Sequence, residues 1–176
     1  MHIDDWDPEF LSKFDPEVYV NNLKLAKINN AMIFFQSHVG LCYWPTKSGK
    51  IHNAFLGRED LIRKTVELCH ENGIAVTAYY SLIYDTYQTD LHPDWSIVDP
   101  DGKPGRDKTK LECSQSAGSR YGHLCPNKPD YRKYTEAQIK EISEYFPKFE
   151  GMFYDMPFWP SSPSYSPQRR ACRTRW

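Results

Sequence analysis

No segment of this 176-residue chain is long and apolar enough to span a membrane. Charge of one sign is lacking too: 22 Lys and Arg face 23 Asp and Glu, leaving a formal net charge of −1 and no basic stripe. Neither nucleic acid nor a membrane is therefore an expected partner. The N-terminus has no basic segment followed by an apolar core, so no signal peptide is visible. The chain reads as cytoplasmic, or as exported after trimming. Cys42, Cys69, Cys113, Cys125 and Cys172 include no CxxC pair, and their odd number argues against a complete disulfide framework. Buried free thiols are expected, with a single Cys113–Cys125 bridge as the alternative. No HExxH or paired-histidine spacing suggests a catalytic metal, and no cofactor is expected. Glycine is missing where a dinucleotide-binding sheet needs it. The residues closing the first strand-like segment are Asp4-Asp5-Trp6-Asp7-Pro8, which disfavours a doubly wound nucleotide-binding fold.

Aromatic residues are what the chain has in plenty: 12 Tyr, 9 Phe and 5 Trp, or 15%. Such an excess points to a cleft that binds flat apolar faces, the alternative being large core residues in a compact domain. With 40% hydrophobic residues a packed core is available, and the length suits one domain.

The order along the chain is strand, helix, strand, helix, strand, long loop, helix, strand. His2–Trp6 reads as a short first strand. Asp15-Pro16-Glu17 has the form of a helix start, and Asn29-Asn30 of its end. Ala31–Phe35 is a continuous apolar run, read as a buried parallel strand. A second helix is predicted over Gly57–Asn72, with Gly73 as the residue just past it. Ile74–Tyr80 is the third strand. From Ser81 to about Asn127 runs a long polar and aromatic loop, with a turn at Asp99-Pro100-Asp101-Gly102. Pro129-Asp130 opens a third helix with Tyr134, Ile139, Ile142 and Tyr145 on one face, and Gly151–Tyr154 is the fourth strand. Alternation of this kind implies α/β architecture with a parallel sheet. A (β/α)8 TIM-type barrel takes about 250 residues. The chain supplies about four β/α units, so an incomplete barrel is expected: residues 1–160 as its N-terminal half, and 161–176 as an irregular tail.

The fourth strand ends in a carboxylate, Asp155, with Phe153 before it and Pro157-Phe158-Trp159 after. Barrel active sites gather at the C-terminal ends of strands. A carboxylate there, ringed by aromatics, suits sugar chemistry. The alternative is an Asp that caps the next turn.

Further stretches carry a family resemblance: Phe14-Asp15-Pro16-Glu17, Phe34-Phe35-Gln36-Ser37-His38-Val39-Gly40-Leu41, Tyr43-Trp44-Pro45-Thr46, His70-Glu71-Asn72-Gly73-Ile74, Tyr79-Tyr80-Ser81, His92-Pro93-Asp94-Trp95, Leu124-Cys125-Pro126-Asn127 and Phe153-Tyr154-Asp155. In this order the chain resembles the N-terminal half of glycosyl-hydrolase barrels related to the α-L-fucosidases of glycoside hydrolase family 29. The resemblance implies a carbohydrate substrate, with Asp155 as nucleophile. It also implies His38 as a ligand of a sugar hydroxyl, and Phe153 in the place of a family tryptophan. A family tyrosine falls on Tyr79 or Tyr80, with Tyr80 preferred. The fucosidases carry Lys-His-His-Asp-Gly-Phe where this chain has Gln36–Leu41, so only His38 and Gly40 are kept. Related barrels bind structural zinc through clustered cysteines, which Ser164-Tyr165-Ser166-Pro167 does not supply.

Sugar hydrolysis of this kind needs two carboxyl groups. Besides Asp155, the candidates are Asp4, Asp5 and Asp85, with surface or helix-capping roles as the alternative for Asp5 and Asp85; Asp4 or Asp5 is also placed to bind a hydroxyl. Trp44 and Trp95 are candidates for stacking on sugar faces, or for anchoring their loops. His92 and His123 are assigned no role. Three functions follow: a glycoside hydrolase acting as part of a larger enzyme, a carbohydrate-binding barrel without catalysis, or an inactive half-barrel that self-associates through its open sheet edges.

Overall fold

The structure, a computed structural model, describes residues 7, 9–98 and 121–157. They divide into two compact units. Residues up to 37, 41–80 and 136–155 form the first; 38–40, 81–98, 121–135 and 156–157 form the second. The expected first strand with Asp4 and Asp5, the turn at 99–102 and the tail from 161 lie outside the described residues.

The first unit opens with α1 (Pro16–Leu25). The Asp15 side chain accepts from the N–H groups of Glu17 at 2.8 Å and Val18 at 3.2 Å, as the Asp-Pro-Glu start implies. The helix ends short of Asn29-Asn30, because Lys27 turns left-handed at φ 55°. Lys27 N–H reaches Lys24 O at 2.9 Å and Ile28 N–H reaches Leu23 O at 3.0 Å, a Schellman closure made without glycine. A left-handed lysine is strained. Lys27→Gly is therefore expected to raise stability by roughly 0.5–1 kcal/mol after the extra unfolded-state entropy is subtracted. A urea midpoint unchanged or lowered would contradict this.

After β1 (Asn30–Phe34) come two short strands, β2 (Leu41–Cys42) and β3 (Lys50–Ile51), which pair in parallel with each other. The next helix, α2 (Leu61–Glu71), packs on α1 and starts later than Gly57. Gly57 has φ +74°, which no α-helical residue can adopt. Its end is the expected one: Gly73 at φ +70° closes a second Schellman motif on His70 O and Cys69 O. β4 (Ala75–Ser81) follows, and β5 (Gly151–Asp155) comes after α4 (Pro129–Tyr145). β1, β4 and β5 form a three-stranded sheet in that order, β1 and β4 parallel with Asn30 opposite Ala75 and Phe34 opposite Tyr79. No closed barrel exists among the described residues.

β1 was expected to be a buried strand, and only one of its faces is buried. Ala31, Ile33 and Phe35 are buried together with Val76 and Ala78, and Phe35 stacks on Phe146 at 3.9 Å. On the other face Met32 is 45% exposed and Phe153 is 43% exposed. An all-apolar run thus has one covered face and one open face.

The part of α4 in this unit clamps the segment between β2 and β3. Buried Gln138 donates to Thr46 Oγ1 at 3.0 Å and Ser48 Oγ at 2.7 Å, and accepts from Cys42 Sγ. Glu141 accepts from Thr46 Oγ1 at 2.6 Å, from Lys47 N–H at 3.2 Å and from Trp44 Nε1 at 3.4 Å. Removing that acceptor leaves a buried indole N–H without it. Glu141→Ala is expected to cost about 2 kcal/mol, read from a shift of the urea midpoint; no shift would show that the clamp contributes nothing.

The second unit replaces much of the expected loop with ordered structure. α3 (Thr86–Leu91) is capped by Asp85, which accepts from Gln88 N–H at 2.8 Å, and a 3₁₀ turn covers Pro93–Trp95. Tyr84 and Ser96 form bridges to His123 and Leu124. Leu124, Tyr131 and Tyr134 make a small core against which Trp95 packs. Cys42, Cys69 and Cys125 are buried; Cys113, and with it the Cys113–Cys125 alternative, lies outside the described residues.

Candidate active site

β5 delivers Asp155 at its C-terminal end, half-buried. The Tyr79 hydroxyl donates a hydrogen bond to Asp155 Oδ2. Tyr79 lies between two rings: Phe34 stacks on it at 3.9 Å and Phe153 at 5.9 Å. Alternation along the strands explains the grouping, since Phe34, Tyr79, Phe153 and Asp155 all point to the open face of the sheet. The preferred tyrosine of the sequence reading, Tyr80, points the other way and is 1% exposed. The tyrosine at the carboxylate is Tyr79.

A second group of polar and aromatic side chains forms around His38 in the other unit. His38 is buried, with its Nδ1 2.9 Å from Ser81 Oγ. Its ring meets Tyr84 and Tyr121 edge-on at 5.3 Å and 5.4 Å. His123 stacks on the far partner, Tyr84, at 4.5 Å. His123 is buried, its Nε2 has no hydrogen-bond partner among the described residues, and desolvation lowers its pKa to about 4.

Trp44 is fully buried, its ring edge against Phe146 and its N–H directed at Glu141. It anchors its loop and offers no face to a sugar. Trp95, stacked on His92 at 4.0 Å and packed on the Leu124 cluster, anchors likewise. Asp85 is buried, caps α3 and accepts from Tyr134. That is the capping role, not that of an exposed acid. Asp4 and Asp5 fall outside the described residues. Among the described residues no group of three His, Cys, Asp or Glu could hold a metal, and no helix is long and apolar enough to cross a membrane.

The family model described as hypothetical glycosyl hydrolase 6 matches residues 15–156. The chain belongs to that family. No curated protein matches its sequence. Solved structures similar to this glycosyl hydrolase family member include α-L-fucosidase isoenzyme 2 from Paenibacillus thiaminolyticus, with 23% identity and a TM-score of 0.71 over 89% of this chain and 22% of that one. A family 29 α-L-fucosidase from Bacteroides thetaiotaomicron has 20% identity and a TM-score of 0.56, over 86% of this chain and 28% of that one. A hypothetical protein from Ruminiclostridium thermocellum ATCC 27405 has 15% identity and a TM-score of 0.58, over 83% and 71%. These likenesses are of fold. Against the two fucosidases the family member spans less than a third of their length.

Sequence reasoning left Ser81, Tyr84 and Tyr121 unassigned. Ser81 could have been found: it ends a strand, where barrel sites gather. Tyr84 and Tyr121 belong to a segment without periodicity and carried no such signal.

Proposed function

We propose that this family member is part of a glycoside hydrolase, fucosidase- or galactosidase-like, in which it forms the N-terminal half of a (β/α)8 barrel. Asp155 is the carboxylate that attacks the anomeric carbon. Tyr79 holds that carboxylate in place, Phe153 flanks the sugar, and His38 binds a hydroxyl. The observation that carries the reading is the Tyr79–Asp155 hydrogen bond at a strand end, beside a half-exposed aromatic ring. A second carboxyl group, about 5–5.5 Å away in a retaining enzyme, comes from outside the described residues, since Asp85 is committed to its helix cap.

That commitment also favours a second reading, a carbohydrate-binding barrel without catalysis. The open sheet face, with Met32 and Phe153 exposed, gives a route to self-association of the chain when it stands alone. Hydrolysis of nitrophenyl glycosides, α-L-fucoside and β-galactoside included, decides among these. Turnover by the chain that is lost in Asp155→Asn supports the hydrolase. Turnover retained in Asp155→Asn removes Asp155 from the chemistry. Sugar binding without turnover supports the second reading, and a monomer by sedimentation removes self-association.

A further inference from the structure

Ser81 has one hydroxyl hydrogen and two partners. Its Oγ lies 2.9 Å from the backbone oxygen of Tyr84 and 2.9 Å from His38 Nδ1. A carbonyl oxygen only accepts, so the hydroxyl hydrogen is directed to Tyr84. Toward His38 the same oxygen offers a lone pair. The short approach of Nδ1 then requires a hydrogen on Nδ1. In a neutral imidazole only one nitrogen carries hydrogen, so Nε2 is the lone-pair nitrogen. The hydroxyl, the ring and the carbonyl are all buried, or part of buried residues, so bulk water does not compete for the arrangement.

The ring is also held against rotation. Tyr84 meets it at an interplanar angle of 79° and Tyr121 at 75°, one edge contact each. Ser81 is the last residue of β4, and the Tyr84 carbonyl that takes its hydrogen lies three residues on, in a turn tied by Leu124 N–H to Ile83 O at 2.8 Å. Strand and turn thus fix the hydroxyl before any ligand arrives.

We propose that Ser81 is a positioning residue that sets the tautomer of His38, making Nε2 the acceptor nitrogen. The consequence for recognition rests on the reading of His38 as a sugar ligand: the hydroxyl it takes must donate its hydrogen, and a sugar lacking a donor there is refused. The tautomer itself does not rest on that reading.

The test is a two-bond proton–nitrogen correlation spectrum of the full chain with ¹⁵N-labelled histidine, recorded about 1.5 units above the ordinary histidine pKa. The His38 signals are assigned by their loss in His38→Gln. Wild type is expected to show a protonated Nδ1 and an unprotonated Nε2. Ser81→Ala is expected to move the population toward the Nε2-protonated form, and Ser81→Thr, which keeps the hydroxyl, to restore the wild-type pattern. A protonated Nε2 in wild type overturns the proposal, as does a tautomer unchanged in Ser81→Ala. Should Ser81→Ala fail to fold, the wild-type and Ser81→Thr spectra decide. An Nδ1-protonated His38 in a chain that binds none of the nitrophenyl glycosides would uphold the tautomer and remove its role in sugar recognition.

Discussion

Gly40→Ala is expected to destabilise the protein by roughly 3–5 kcal/mol, through two effects that act together. Gly40 has φ +87°, a backbone state that costs any residue with a Cβ about 1–2 kcal/mol. The new methyl would also overlap the Asp85 carboxylate. That carboxylate cannot swing aside cheaply. It is buried, caps α3 through Gln88 N–H and takes the Tyr134 hydroxyl. Displacing it leaves a helix end without its cap, and a buried polar group with fewer donors. Gly73→Ala is the control. Gly73 also has positive φ, at +70°, but nothing lies within 4 Å of its Cβ position. It is expected to lose only the backbone share, about 1–2 kcal/mol. Urea midpoints of the two variants measure the difference. Equal losses would show that the Asp85 contact tolerates the methyl and that φ alone matters.

The same glycine shows why some of this protein can be read from its sequence and some cannot. Local signals held. Asp15 before Pro16, and Gly73 after α2, mark helix ends through hydrogen bonds within a few residues of each other. The strand that ends at Asp155 was legible from the composition of a short apolar run. What failed depended on distant partners. Ala31–Phe35 is apolar throughout, so composition cannot say that only one of its faces is covered. Tyr79 and Tyr80 are adjacent and alike, and choosing between them requires knowing which face of β4 looks toward β5. Gln138 lies on the buried stripe of α4, where periodicity calls for an apolar residue. Its partners Cys42, Thr46 and Ser48 lie some ninety residues earlier. The excess of aromatics misled in part. Phe35, Tyr43, Trp44, Phe55, Tyr80, Tyr84 and Tyr121 are buried, so much of the surplus builds core, while Phe153 and Tyr154 stay exposed next to the carboxylate.

His123 gives the second large effect, in the acid limb of the stability profile. Its pKa is about 4 in the folded chain against 6.5 for the ordinary side chain, because burial disfavours the imidazolium. Well above pH 6.5 the ring is neutral in both states and contributes no pH dependence. As the pH falls below that value the unfolded chain binds a proton that the folded chain refuses, so stability is lost down to about pH 4. The full loss is about 3 kcal/mol, at 1.36 kcal/mol per unit of pKa difference. His123→Phe keeps a flat ring for Tyr84 to stack on and removes the ionisable group. Its unfolding free energy is expected to fall less steeply between pH 6.5 and about 4 than that of wild type, by that same amount across the window. The measurement is a set of urea titrations at several pH values in that window, with the two proteins side by side. Parallel profiles would mean that His123 takes up its proton in the folded chain as readily as in the unfolded one. The stack on Tyr84 would then have to open to water, and with it the aromatic wall against which His38 is held.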